Sequence, residues 1–447
     1  VQSTPIVIDL YGDELPEIVF PAEGDLHVLD GRDGSVVWNN GQVNIDSIFD
    51  VAAADIDLDG FPEIIASLTD DRLAAFEHDG TLKWQAAETY MGLAGGSSIG
   101  GGIITFADME QDGIPEIVVG AAVFNNDGTL RWKGAEGQGK FTPPAAEYGP
   151  RSLVADIDMD GSMNVVAGNT VYRADGTVLW KVAAPDGWVG VANFDQDPFA
   201  EILLVSPARP SSPFNDVYVL EHDGTIKWGP VATIGGYTPS IGDVDGDGMA
   251  EIAGHFAYDF QVLESDGTLK WSVPVRDGRN EATPSALFDF DGDGAMEIVG
   301  RDASTMRVYD GKTGTILSEF SSPSPTWYDG PVIADLDADG SAEIVAPASN
   351  GIFVYGHDES HWQPTRGVWN QYAYTVTNVN DDGSIPASPD PSWSTHNSFR
   401  ANVPTHVIAD LTASFVRTPV TVGDAQVTAR IGNGGSFFVP PDVAVAF

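Results

Sequence analysis

The sequence predicts an all-β chain, an eight-bladed β-propeller followed by a partial β-sandwich, and three observations carry that prediction. An acidic loop, in its fullest form Asp55-Ile56-Asp57-Leu58-Asp59-Gly60-Phe61-Pro62-Glu63-Ile64, recurs from Asp9, Asp55, Asp108, Asp156, Asn193, Asp243, Asp289 and Asp335 at a mean spacing of about 47 residues. That period is the size of one four-stranded blade. A hairpin ending in tryptophan recurs out of phase with the loop, and helical apolar periodicity is absent throughout.

Each repeat reads as strand, acidic loop, strand and hairpin. In the first, residues 4–9, 17–20, 26–29 and 36–38 are the expected strands. The hairpin Leu29-Asp30-Gly31-Arg32-Asp33-Gly34-Ser35-Val36-Val37-Trp38 returns at 76–84, 124–132, 172–180, 220–228 and 263–271. Its Asp-Gly corner suits a type I′ turn. The seventh copy has Thr313-Gly314 and ends in Ser318, and the eighth spans 354–362. The regularly spaced Trp38, Trp84, Trp132, Trp180, Trp228 and Trp271 are read as wedges between neighbouring sheets. Seven blades is the alternative, with one repeat spent on closure or lying outside the ring.

The loop spacing suits one hard cation. Calcium takes six to eight oxygens, and a short loop supplies them from positions 1, 3 and 5, with a glycine at 6 for the bend and an acid at 9. The apolar residues that follow make the exit a strand, which separates this loop from an EF-hand.

The acidic loop, its following Glu-Ile and the blade-sized period resemble the FG-GAP, or VCBS-type, calcium-binding propeller repeats of integrin α-subunit heads and many secreted bacterial and archaeal proteins. The resemblance covers about residues 1–362 and implies several structural Ca²⁺ ions. Carried across, Asp55, Asp57, Asp59 and Glu63 are a complete set, as are Asp243, Asp245, Asp247 and Glu251; Asp289, Asp291, Asp293 and Glu297; and Asp335, Asp337, Asp339 and Glu343. Asp108, Glu110, Asp112 and Glu116 put glutamate at position 3. Asp156, Asp158 and Asp160 are closed by Asn164, a weaker ligand. Asn193, Asp195, Asp197 and Glu201 have Pro198 in place of glycine, which alters the bend. Asp9, Asp13 and Glu17 are carried across as ligands too, but with Tyr11 at position 3 and Glu14 at position 6 this loop matches the set least well of the eight.

With 66 Asp plus Glu against 21 Lys plus Arg, the net charge is −45. This argues against nucleic acid and anionic membrane as partners and for cations as ligands. The absence of cysteine excludes disulfides, thiolate metal sites and a cysteine nucleophile. No apolar run is long enough to span a membrane. Any secretory leader is expected to lie before Val1, and no Asn-x-Ser/Thr sequon is present.

Two insertions break the repeat. Residues 95–102 contain G-x-S-x-G, but that nucleophile pattern needs a strand-to-helix turn, so we read a loop. Residues 207–214 form a Pro/Ser loop. Both are expected to decorate one rim. The H-x-x-x-H of His357 and His361 reads as a solvated turn rather than a zinc site.

Residues 1–362 are therefore assigned to the propeller, 363–404 to a connecting segment packed on it, and 405–447 to an incomplete immunoglobulin-like sandwich. The segment carries a ninth, degenerate acidic loop at 378–383, and Trp369, Tyr372, Tyr374 and Trp393 offer either packing against the last blade or a sugar-stacking surface. The last part resembles the opening of a CARDB-type adhesion module. Such a sandwich needs about 100 residues, so its remainder is expected beyond Phe447.

The expected function is that of a calcium-stabilised module of a larger secreted or cell-surface adhesive or structural protein. It would contact other protein chains or glycans, with self-assembly included. The alternative is a polysaccharide lyase, because eight-bladed calcium propellers also resemble rhamnogalacturonan lyases. Arg151, Arg276, Arg279 and Arg301 are the candidate contributors to that chemistry. Quinone-cofactor dehydrogenases share an eight-fold tryptophan repeat and calcium, but the vicinal cysteine pair of their alcohol-oxidising members is impossible here and acidic loops of this type are not their signature.

Overall fold

The computed structural model describes residues 1–91, 102–140, 148–195, 197–207, 215–233, 239–256, 259–275, 283–324, 328–357, 362–405, 411–417 and 428–433. Seven antiparallel sheets of four strands and one of three are each built from a single repeat in the order inner to outer. The first takes Ile6–Ile8, Glu17–Ala22, Asp25–Asp30 and Val36–Asn40. The innermost strands of all eight are Ile6–Ile8, Ala52–Ala54, Ile104–Ala107, Leu153–Ala155, Trp188–Ala192, Ser240–Gly242, Ala286–Phe288 and Val332–Ala334. These eight sheets form the blades of an eight-bladed propeller. The eighth consists of Val332–Ala334, Glu343–Ala348 and Gly351–Tyr355 among the described residues.

The apolar pattern follows from position in the ring. Inner strands lie between neighbouring blades and the channel, so they read as continuous small or β-branched runs such as Ala52-Ala53-Ala54, all buried. Outer strands are half exposed, as in Val36–Asn40.

The four strands of the first blade come from one continuous stretch, so among the described residues no sheet is shared across the closure. The junction uses discrete bonds instead. Thr4 Oγ1 donates to Tyr328 O at 2.9 Å, Gly330 N donates to Thr4 Oγ1 at 3.2 Å, and the Val1 ammonium donates to Ala348 O at 3.0 Å.

The tryptophans are wedges between blades. Each indole N–H donates to a carbonyl in the hairpin of the next blade: Trp38 to His78 O, Trp84 to Asn126 O, Trp132 to Ala174 O, Trp180 to His222 O, Trp228 to Ser265 O and Trp271 to Gly311 O, at 2.7–3.0 Å. The ring lies against the turn glycine of that hairpin. A Cβ on Gly80 would come within 2.9 Å of Trp38.

The turn differs from the type I′ expectation. In the second blade Gly80 N donates to Glu77 O and Glu77 N to Thr81 O, both at 2.8 Å. Gly80 has φ +84°, while Asp79 is absent from the positive-φ residues, and the ladder shifts register between Ala75 and Phe76. This is a type I turn followed by a left-handed glycine and a bulge. Asp79 fits its negative-φ corner by accepting from Thr81 N at 2.9 Å.

Residues 363–402 run along the channel rather than against the last blade alone. Trp369 pairs antiparallel with Val7 and Phe399 with Ile241, and Ala401 pairs parallel with Leu287. Ala53 N donates to Asn370 O at 2.9 Å, Phe106 N to Gln371 Oε1 at 3.0 Å and Asn402 Nδ2 to Ile333 O at 3.0 Å. The segment thus binds inner strands of the first, second, third, sixth, seventh and eighth blades, and Asn397 exchanges bonds with Asn193 of the fifth. Trp369, Tyr372, Tyr374 and Trp393 are all buried, which removes them as a sugar-stacking surface. Of the expected sandwich, Leu411–Arg417 and Thr428–Asn433 pair antiparallel, and the rest lies outside the described residues.

Candidate functional site

Each acidic loop joins the first two strands of its blade, and its own carboxylates prefold it. The acid or amide at position 9 opens the second strand, and one of its oxygens accepts the backbone N–H of position 2 in all eight loops. Glu17 accepts from Leu10, Glu63 from Ile56, Glu116 from Met109, Asn164 from Ile157, Glu201 from Phe194, Glu251 from Val244, Glu297 from Phe290 and Glu343 from Leu336, at 2.6–3.0 Å. Asn164 keeps this bond because it needs an acceptor and no charge. The position 1 aspartate accepts from the backbone further on: Asp55 from Leu58 N at 2.7 Å and Gly60 N at 3.0 Å, Asp243 from Gly246 N and Gly248 N, and Asp289 from Gly292 N and Gly294 N. Position 5 accepts from position 7, as Asp59 does from Phe61 N at 2.9 Å.

The backbone bends at two left-handed residues, positions 4 and 6. In the second loop these are Leu58 at φ +64° and Gly60 at φ +94°. Pro198 stands where the fifth loop would need positive φ, and there the Asn193 side-chain amide donates to Asp197 O, a contact unlike that at any carboxylate position 1. In the first loop Glu14 takes φ +67° at position 6, and Asp9 accepts from Gly12 N and Glu14 N at 2.7 Å, so that loop folds without the full acid set.

Burial, reinforced by neighbouring carboxylates, pushes the position 9 glutamates up. Glu63, Glu251 and Glu343 rise to about 8, and Glu17, Glu116, Glu201 and Glu297 to about 7. Asp335 rises to about 6 for the same reason. Such groups call for positive charge. Donor atoms of Asp55, Asp57 and Glu63 lie within 4.8 Å of one another, as do those of Asp156, Asp158 and Asp160, and of Asp243, Asp245 and Glu251. Asp158 Oδ1, Glu251 Oε1 and Asp335 Oδ1 are buried without a hydrogen-bond partner among the described residues. Those donors fit an oxygen-seeking cation such as Ca²⁺.

Sequence reasoning missed the cations already present. The Lys83 ammonium donates to Asp57 at 2.6 Å, Glu63 at 3.1 Å and Glu77 at 2.9 Å. Lys227 does the same with Asp195, Glu201 and Glu221, while Lys270 bonds Asp245 and Glu264. Arg131 bridges Glu110 and Glu116. In the degenerate ninth loop Arg366 donates to Asp381 and to the carbonyls of Val376 and Val379. The available signal was a glutamate six residues before lysine in the second, fifth and sixth hairpins: Glu77 and Lys83, Glu221 and Lys227, Glu264 and Lys270.

Two of the four arginines of the lyase alternative, Arg301 and Arg151, are committed elsewhere. Arg301 is fully buried and bonds Asp329, Pro347 O and Ser322 O. Arg151 is 3% exposed and stacks on Trp188. Arg276, Arg279, His361 and nearly all of the insertions at 95–102 and 207–214 lie outside the described residues. Among the described residues no helix is long and apolar enough to cross a membrane.

No curated protein matches the sequence. Among solved structures, the Vibrio cholerae biofilm matrix protein Bap1 aligns at TM-score 0.75 and 22% identity over 91% of this chain and 96% of that one. The Bacillus licheniformis rhamnogalacturonan lyase PL11 aligns at 0.61 and 17% over 90% and 80%, and rhamnogalacturonan lyase YesW at 0.56 and 15% over 79% and 71%. At these identities the likeness is one of fold. The family model described as FG-GAP-like repeat matches residues 55–119 and 289–346, so the chain carries FG-GAP-like repeats on an eight-bladed propeller.

Proposed function

We propose that this chain is a calcium-stabilised, non-enzymatic propeller module of a larger secreted or cell-surface adhesive protein, contacting other chains or glycans. One observation carries the calcium part: prefolded loops keep buried carboxylate oxygens, on Asp158, Glu251 and Asp335, that no donor among the described residues reaches. Calcium, when bound, would supply positive charge to those oxygens. The chain's own residues already fix the loop backbone, so the ion would act on stability and not on chemistry at a substrate. The adhesive part is supported by the extent of the match to a biofilm matrix protein and by two of the four candidate lyase arginines, Arg301 and Arg151, being held in internal contacts.

The test is thermal melting of the full chain in excess EDTA and in Ca²⁺, with calcium expected to raise the midpoint by about 10 °C or more. Equal midpoints would remove the calcium reading. Glycan-array binding and sedimentation test adhesion, and ultraviolet detection of an unsaturated product from pectic substrates would turn the assignment to the lyase.

A further inference from the structure

The residue before each blade tryptophan, or before Ser318 in the seventh blade, stands at a β-bulge. In the second blade Trp84 pairs with Ala75 and Leu82 with Phe76, which leaves Lys83 without a partner across the ladder. The same shift isolates Val37, Arg131, Leu179, Lys227, Lys270 and Leu317. A bulge residue leaves the strict alternation of its strand, so its side chain is re-aimed. Where it is long and basic, its head enters the acidic loop of its own blade. The surrounding charges change with it: beside Leu179 the corner residue is Arg173, not glutamate, and the closing residue is Asn164.

How far the cation reaches divides the loops. Lys83, Arg131 and Lys227 each touch the position 9 acid, at 3.1, 3.1 and 3.4 Å. Lys270 bonds Asp245 and Glu264 and leaves Glu251 Oε1 unpaired. Among the described residues, the loops that keep a buried, unpartnered carboxylate oxygen are those of the fourth, sixth and eighth blades, and none of the three in which a basic side chain reaches position 9 keeps one.

We propose that six of the eight loops fall into two classes. Those of the second, third and fifth blades use a tethered side-chain cation in place of a bound ion, and calcium goes to the fourth, sixth and eighth. The assignment of calcium rests on the reading above; the role of the tethered cations does not. An ammonium brings one charge and three donors to the oxygens a metal would claim, and it loses no translational freedom in doing so. A calcium ion entering the same loop would have to expel it or share its carboxylates against like-charge repulsion.

The experiment uses the full chain with Lys83→Met and Lys227→Met, singly and together, and Leu179→Lys as the converse. Bound Ca²⁺ is counted by equilibrium dialysis, and midpoints are measured in EDTA and in Ca²⁺. Each lysine removed is expected to lower the EDTA midpoint, widen the gap between the two conditions and add up to one bound ion; Leu179→Lys is expected to remove one. An unchanged ion count together with an unchanged EDTA midpoint in the double variant would overturn the proposal. If the wild-type chain binds no calcium, the calcium reading fails. The tethered cations are then judged by the EDTA midpoint alone, which must fall, and a double variant as stable as wild type overturns their role as well. Should the double variant not fold, the single variants carry the same comparison.

Discussion

Asn164 separates two jobs that a glutamate does together. Its Oδ1 accepts from Ile157 N at 3.0 Å, the bond that Glu63 Oε2 makes to Ile56 N at the same distance. Asn164→Leu should leave that buried N–H unpaired and cost about 1–3 kcal/mol in urea unfolding, with or without calcium. Asn164→Asp should keep the bond and widen the stability difference between Ca²⁺ and EDTA, because it adds the missing charge. A second residue-scale effect comes from His255, buried on the sixth blade with its imidazole edge-on to Phe260. Burial holds its value down to about 4 from 6.5, so between those values the unfolded chain binds the proton and the folded chain does not. Its contribution is therefore intact above 6.5 and is lost as pH falls toward 4, at a slope of up to about 1.4 kcal/mol per pH unit. In unfolding titrations across that range, His255→Leu should show a flatter profile than wild type, and parallel profiles would remove the assignment.

At the scale of the element, the unit is the tryptophan of one blade clamped on the hairpin of the next. Gly80→Ala should cost about 1–3 kcal/mol, since φ +84° disfavours a side chain and the new Cβ would meet Trp38 at 2.9 Å. Gly60→Ala is the control, because its φ of +94° carries the backbone penalty and no atom lies within 4 Å of the added Cβ. The difference between the two measures the clamp. These elements were legible in the sequence because a repeat multiplies a weak local signal: one Asp-Gly is a turn, whereas Trp38 to Trp271 at blade spacing is an architecture. The turn type was not legible. A one-residue bulge leaves the apolar pattern of Leu82-Lys83-Trp84 unchanged while redirecting Lys83 into the acidic site, so nothing in that pattern pointed to it.

The whole molecule depends on a segment that no repeat announces. Residues 363–402 have neither strand alternation nor helical period, and their contacts with Val7, Ala53, Ile241 and Leu287 span hundreds of residues in sequence, so nothing local pointed to the channel. Buried Trp369, stacked on Tyr374 with ring centroids 4.6 Å apart, is a principal anchor there. Trp369→Ala should lower the unfolding free energy by about 3–5 kcal/mol. A chain ending at Trp362 should melt over a broader and lower range than the full chain, and an unaltered, equally sharp melt would show the segment to be a passenger.

The channel segment also fixes how the propeller would bear a pull from the residues that follow it. At its two ends Thr405 N donates to Pro364 O at 2.8 Å and Thr365 Oγ1 donates to Val403 O at 3.0 Å, so the chain that leaves is stitched to the chain that entered. Tension arriving from residue 406 onward meets that clasp before it reaches Trp369 or Arg400. Once past the clasp it is shared among blades on opposite sides of the axle rather than peeling one sheet from its edge, the loading geometry of an anchor and not of a hinge.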